Sequence, residues 1–444
     1  VPLYGPQFSA RPQDTYRVLR SMGSIAPIEL SPGVFGLITT TYAAALHLLR
    51  NTPHHFAKNP RWWRALAEGQ VPLDSPALMM MQARDNALWK DGPEHTRLRT
   101  AIIDSLAHIN PHALRARVKR IADALIDALA PHGKADLVGS YAAELPMRVL
   151  FELFDCPPEI GLRIVGSLIR LFDTDQDAAA ANADLEAACL DLTHLKRSSP
   201  GSDVTSWLIA HPARLTDAEM VQTILLVIGA GTEPSTNLIG NALKLMLTDE
   251  RFSGSVIDGA QSVVGALDYV LWTDPPMANY CPLYAYQDTV YDGILLRAGV
   301  PILVSFAAAN TDPTLNLTDA HLAGNDAHLA FSAGAHGCPS PDIARVITEV
   351  AVERVLDRLP GMELACPVDQ LERRPGTFHS GWTAVPVIFP PIATSGESWT
   401  PPPRPAAPTA STAPHPTFTP RPPSSAPKAR RRPWNFLVKW WRGQ

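Results

Sequence analysis

Phe331-Ser332-Ala333-Gly334-Ala335-His336-Gly337-Cys338-Pro339-Ser340 stands directly ahead of a helical pattern over 341–359, where Ile343, Val346, Ile347 and Val350 share one face. Gly334 and Gly337 allow the positive backbone angles of a tight loop. Ser340 is placed to cap, Pro341 suits a first helical position, and Asp342 suits a first turn. Cys338 therefore lies just before a helix N-terminus, where backbone N–H groups and the helix dipole favour a thiolate. A buried, inert cysteine in a glycine-rich turn is the competing reading, and for a lone cysteine it is the better one.

Three other blocks lie outward from this loop. In Gly92-Pro93-Glu94-His95-Thr96-Arg97-Leu98-Arg99, His95 and Arg99 are four apart on a helix starting near Pro93, so they share a face and offer donors to one anionic group. Thr216 and Glu219 form a capping box ahead of a long apolar pattern, Met220 to Leu247. Inside it lies Gly229-Ala230-Gly231-Thr232-Glu233-Pro234-Ser235-Thr236. Glu233 is the one acid of that apolar stretch, and burying a carboxylate is costly unless it is paired or functional. Pro234 cannot donate to the Ala230 carbonyl, so a kink is expected, and Ser235 points about 100° further round the helix. The third block is Ala266-Leu267-Asp268-Tyr269-Val270-Leu271-Trp272-Thr273-Asp274-Pro275-Pro276. The alternatives are a solvated basic helix start for the first block and a kinked core helix without chemistry for the second.

The spacing Phe-x-x-Gly-x-His-x-Cys before a helix resembles the haem-binding loop of the cytochrome P450 family, and the three blocks fall in that family's order, over residues 1–389. Ala307-Ala308-Ala309-Asn310-Thr311-Asp312-Pro313 is similar to a further family block. The resemblance implies a mainly α fold with small β-sheets, the haem lying between the long central helix and the helix after the cysteine loop. It implies Cys338 as iron ligand, Phe331 beside the sulfur, Gly334 in the loop, and His95, Arg99 and His336 on the haem propionates. Ala230 and Gly231 would face the cofactor, and Glu233, Pro234 and Ser235 occupy the oxygen-activation turn. Ile228–Gly231 and Met277–Leu283 would line the substrate pocket.

The departures are specific. Ser332 and Ser340 replace glycines, and Pro234 replaces the usual threonine. Tyr269 and Trp272 stand where the family has a Glu-x-x-Arg pair. The stretch from Ala298 to Ala344 holds no arginine to complete that cluster, so packed aromatics are expected in its place. Leu283 occupies the position of another propionate arginine. The implied activity is O₂-dependent monooxygenation of a small apolar organic compound, with haem b (iron protoporphyrin IX) and electrons from a separate ferredoxin or flavodoxin. The absent threonine and Glu-x-x-Arg pair leave an alternative: a haem protein that is peroxidase-like, a ligand sensor or a scaffold component.

Composition sets the frame. The chain has 444 residues, 46% hydrophobic, with 38 basic against 43 acidic side chains, so no basic field points to nucleic acid. Five scattered cysteines without a CxxC pair argue against a disulfide framework or zinc site and fit a cytoplasmic setting. Neither a signal peptide nor a membrane span is expected. Short strand signals lie at Gly33–Thr39, Pro301–Ser305 and Ala384–Phe389. Residues 390–433 read as a Pro/Ala/Ser/Thr-rich linker, and 434–444 as a Trp-rich basic end. With the preceding arginines, segment 428–444 suits an anionic membrane surface or an acidic protein, and a solvated tail is the plain alternative.

Overall fold

The computed structural model describes residues 1–393 apart from 73, 82, 173–177 and 254–261. The basic end and all but 390–393 of the proline-rich segment lie outside the described residues.

The capping box forms as its spacing requires: the Thr216 side chain accepts from the Glu219 N–H, and Glu219 reaches back to the Thr216 backbone. It starts a central helix, Asp217–Thr248, that continues through Pro234. Helices Leu145–Leu153, Ala178–Ser198, Val263–Thr273 and Pro341–Arg358 pack on it, and Pro341–Arg358 also packs on Pro111–Leu129. Their apolar faces make one large core, in which Ile224, Ile239, Leu243, Val118, Leu125, Ala351 and Val355 are at most 2% exposed. Asn110 caps Pro111–Leu129 by accepting from the Ala113 N–H, with Pro111 at the first helical position.

The strand signals were accurate in place and incomplete in number. Val34–Thr39 and Pro301–Ser305 pair in parallel within a five-stranded sheet whose order is Ile25–Ser31, Val34–Thr39, Pro301–Ser305, Asn279–Ala285, Phe56–Ala57. The other pairings are antiparallel. The five residues of Pro301–Ser305 are all buried because the sheet is covered on both faces. Leu303 enters one small core, and Ile302 and Val304 the other, as the two-residue period dictates. The last signal shortens to Pro386–Ile388, held between Lys134–Asp136 and Glu363–Leu364. No helix among the described residues is long and apolar enough to cross a membrane.

Candidate active site

Two short turns, Leu329–Phe331 and Gly334–His336, carry the chain into the cysteine. The Cys338 N–H donates to the Phe331 carbonyl at 2.7 Å and the Gly337 N–H to the Gly334 carbonyl at 3.1 Å, so the loop closes on itself. Gly334 has φ +70°, and a Cβ there would lie 2.3 Å from the Leu49 carbonyl oxygen; only glycine fits. Ser332 departs from the same logic. It has φ 61° and ψ −170°, a region that favours glycine, and its buried hydroxyl has no partner.

The loop–helix geometry corrects two details of the sequence reading. Ser340 occupies the N-cap position, but its side chain makes no capping bond. Its backbone N–H and hydroxyl instead act on the Cys338 sulfur, favouring the thiolate. Burial raises the Cys338 thiol above its ordinary value, and the Ser340 donors and the Arg99 charge offset this only in part. The helix start alone therefore does not produce the thiolate; a coordinating metal would, by displacing the proton.

Beside the loop is a cradle with unmet donors. His95 (6% exposed) and His336 (7%) lie 4.1 Å apart between ring centroids, their planes tilted by 37°. Both Nε2 atoms are buried and lack a hydrogen-bond partner, since Asp91 Oδ1 is 3.7 Å from His336 Nε2, beyond bonding range. Burial, then the neighbouring His336 and Arg99, push His95 down to about 4, so it is neutral at pH 7. Arg99 donates to the carbonyl of Gly337, the residue before the cysteine. Two orphaned imidazole nitrogens beside a guanidinium suit an anionic acceptor that carries two carboxylates, as haem does. The residues present fit the group.

On the central helix, Gly229 and Ala230 are exposed, and nothing lies within 4 Å of a Cβ built on Gly229. Gly231 is not with them. A Cβ on it would lie 2.9 Å from Leu150 Cδ1, so its smallness serves the crossing with Leu145–Leu153 rather than the cofactor face. Ser235 is buried at 5% exposure. Glu233 has fixed partners: Arg374 donates to Oε1, Asn237 Nδ2 donates at 3.3 Å, and His379 Nδ1 lies 3.9 Å away. Burial works to raise the Glu233 carboxyl, but the Arg374 and His379 charges and the two donors outweigh it and hold it below its usual range. Nothing in the sequence pairs Glu233 with Arg374, 141 residues away.

The support cluster is not the packed aromatic patch expected from the sequence. Tyr269 and Trp272 do replace the family's pair, but the charge is not lost. Asp268 (2% exposed) receives Arg345 Nη1 at 2.7 Å on Oδ1 and the Gly324 N–H at 2.8 Å on Oδ2. Arg345 also bonds Asp326 and approaches His328 Nε2 at 3.4 Å, and its guanidinium lies 5.8 Å from the Phe331 ring. Trp272 Nε1 donates to the Asn325 carbonyl at 2.8 Å and meets the His328 ring edge-on. An ion pair thus joins Val263–Thr273 to Pro341–Arg358 across the segment that leads into the cysteine loop. Arg345 lies one residue beyond the arginine-free stretch Ala298–Ala344. The acid is likewise one residue ahead of the family's position.

Sulfur at the start of one helix, donors for two carboxylates, and a long helix packed against it define a haem-thiolate protein. No protein-family model matches the chain. It is 30% identical over 384 residues to 2-hydroxy-5-methyl-1-naphthoate 7-hydroxylase of Streptomyces carzinostaticus, covering 83% of this chain and 93% of that one. Nocardicin C N-oxygenase of Nocardia uniformis is 31% identical over 350 residues, 74% of this chain and 85% of that one. The cytochrome P450 monooxygenase PikC of Streptomyces venezuelae is 27% identical, over 86% of this chain and 92% of that one. Among solved structures, CYP154C4 from Streptomyces superposes with a TM-score of 0.79 at 27% identity, covering 87% of this chain and 97% of that one. The chain belongs to the cytochrome P450 family and is a haem-thiolate monooxygenase. The relatives do not favour the alternative of a haem protein without this activity.

Proposed function

We propose that this enzyme oxygenates a small apolar secondary metabolite, using haem b and electrons from a separate ferredoxin or flavodoxin. The relatives named above act on a naphthoate and on nocardicin C by their names, and a mycinamicin IV hydroxylase/epoxidase is also similar at 30% identity. When bound, the haem supplies the site where O₂ is reduced and one oxygen atom passes to substrate. Cys338 would hold the iron through its sulfur, with the Ser340 donors tempering the sulfur's charge. Neutral His95 and His336 would donate Nε2–H to the propionates, with Arg99 adding a charge beside them. Gly229 and Ala230, which are exposed, would leave room beside the cofactor and with Met277 help shape an apolar pocket.

Proton supply falls to Glu233, because Pro234 removes the neighbouring hydroxyl. In its resting pairing with Arg374 the carboxylate is held ionised; swinging away from Arg374 would let it take a proton at Oε1 and pass it on through water. His379 stands next to it as a second proton carrier. The observation that carries the reading is the pair of orphaned histidine nitrogens beside the cysteine loop. The test is the absorption spectrum of the reduced, carbon-monoxide-bound protein with Cys338→Ala alongside. The parent is expected to give the thiolate-type band and the variant to lose it; an unchanged spectrum in the variant overturns the assignment. Spin-state titration against a panel of polyketide and aromatic acids then ranks substrates.

Segment 428–444 is proposed, on composition alone, to dock on an anionic membrane surface through Arg430, Arg431, Arg432 and Lys439 with Trp434, Trp440 and Trp441 at the interface. Co-sedimentation of a 428–444 peptide with anionic but not neutral vesicles is the expected result, and failure with both removes it.

A further inference from the structure

Lys58 is 0% exposed, yet no carboxylate lies within ion-pair range of its ammonium among the described residues. Its Nζ donates to the Cys281 carbonyl at 2.6 Å and sits 3.6 Å above the Tyr280 ring. An ammonium has three donors, so this side chain is under-used where a buried charge is costly. The nearest acid acting on it, Asp91, is already engaged. Asp91 accepts the backbone N–H of Lys58 on both oxygens, at 3.1 and 3.0 Å, and that of Asn59 at 3.2 Å.

Lys58 also belongs spatially to the propionate cradle. Tyr280, on which it rests, donates its hydroxyl toward the His336 carbonyl at 3.4 Å, and the Lys58 charge acts on His336. The cradle then holds Lys58 and Arg99 against one carboxylate, Asp91, together with two partnerless Nε2 atoms. Such a buried surplus of cations and donors calls for an anion.

Strand register explains why this lysine is in place. Phe56 pairs with Ala285 and Ala57 with Tyr284 in antiparallel fashion, and Lys58 follows directly, its Nζ reaching across to the Cys281 carbonyl, two residues before Leu283. By the resemblance, position 283 is where the family often has a further propionate arginine, and Leu283 is 1% exposed in an apolar core. A buried cation stands instead just beyond the neighbouring strand. We infer that Lys58 is a haem-carboxylate ligand, a charged partner for one propionate that stands in for the arginine missing at position 283. Burial lowers Lys58 to about 8 against the opposing pull of Cys281 and Asp91, and a bound carboxylate would restore its full charge.

The inference rests on the haem reading, and its test separates the two. Holoprotein carrying Lys58→Met or Lys58→Arg is mixed with excess apomyoglobin and haem transfer is followed by absorbance. The methionine variant is expected to lose haem about tenfold faster or more, as loss of a charge-assisted bond implies, and the arginine variant to stay near the parent. Apoprotein is then reconstituted with iron protoporphyrin dimethyl ester, which has no carboxylate. There parent and Lys58→Met should bind alike. Equal haem-loss rates in parent and methionine variant, or an equal penalty with acid and ester, overturn the inference. Should Lys58→Met not accumulate, the parent and Lys58→Gln are compared with acid and ester in the same way. The thiolate band of the carbon-monoxide complex stays in all Lys58 variants, whereas its absence from the parent would sink the haem-thiolate reading instead.

Discussion

Replacing Arg345 by methionine keeps an unbranched apolar stem and removes the charge facing Asp268. Asp268 is 2% exposed, so the variant leaves a carboxylate in the core with only the Gly324 N–H to satisfy it. Breaking a buried pair from one side typically costs about 3–5 kcal/mol. The Arg345 side chain is 24% exposed and one Asp268 oxygen keeps its donor, so the lower end, about 3 kcal/mol, is expected here. With an unfolding entropy of about 2 cal/mol/K per residue over roughly 390 globular residues, that lowers Tm by about 4 °C. Urea titration followed by tryptophan fluorescence and by the haem band gives the free energy directly. Arg163→Met, which breaks a pair whose members are 47% and 52% exposed, is the control and should cost under about 1 kcal/mol. The double variant Asp268→Leu/Arg345→Met should recover part of the loss, because an apolar pair leaves no orphaned charge. If Arg345→Met lies within about 0.5 kcal/mol of the parent, or the two sites prove additive, the ion pair does not do the work of the missing cluster.

Four other outcomes follow from the site. Ser332→Gly should stabilise the protein by about 1 kcal/mol, relieving the φ of 61° and deleting a partnerless hydroxyl, as read by the urea midpoint. Gly334→Ala should fail to retain haem, since its Cβ would collide with the Leu49 carbonyl; a normal haem content would contradict the loop geometry. His328, pushed down to about 4 first by burial and then by Arg345, sits below its ordinary 6.5, so the unfolded chain takes up the proton first. Stability from this residue is whole above pH 6.5, declines as pH falls towards 4, and amounts to about 3 kcal/mol; His328→Asn should flatten that slope. Glu233→Gln should leave the carbon-monoxide spectrum intact while lowering product formed per reducing equivalent, and unchanged coupling would remove Glu233 from the proton path.

Local chemistry was written in the residue order. Gly334 and Cys338, the Thr216–Glu219 box, the His95–Arg99 face and the Pro301–Ser305 strand depend on neighbours within four positions or on a two- or 3.6-residue period, so the sequence determined them, and with them the family. What needed the tertiary structure was every partnership between distant elements. Asp268 finds Arg345 only because two helices pack side by side, Glu233 finds Arg374 across 141 residues, and Gly231 turns to Leu150 because of how two helices cross. Lys58 meets Cys281 and Tyr280 only because distant strands pair. Charges buried in a core must be matched in space, not in sequence, so a motif displaced by one residue, or moved to the next strand, is invisible until the chain is folded.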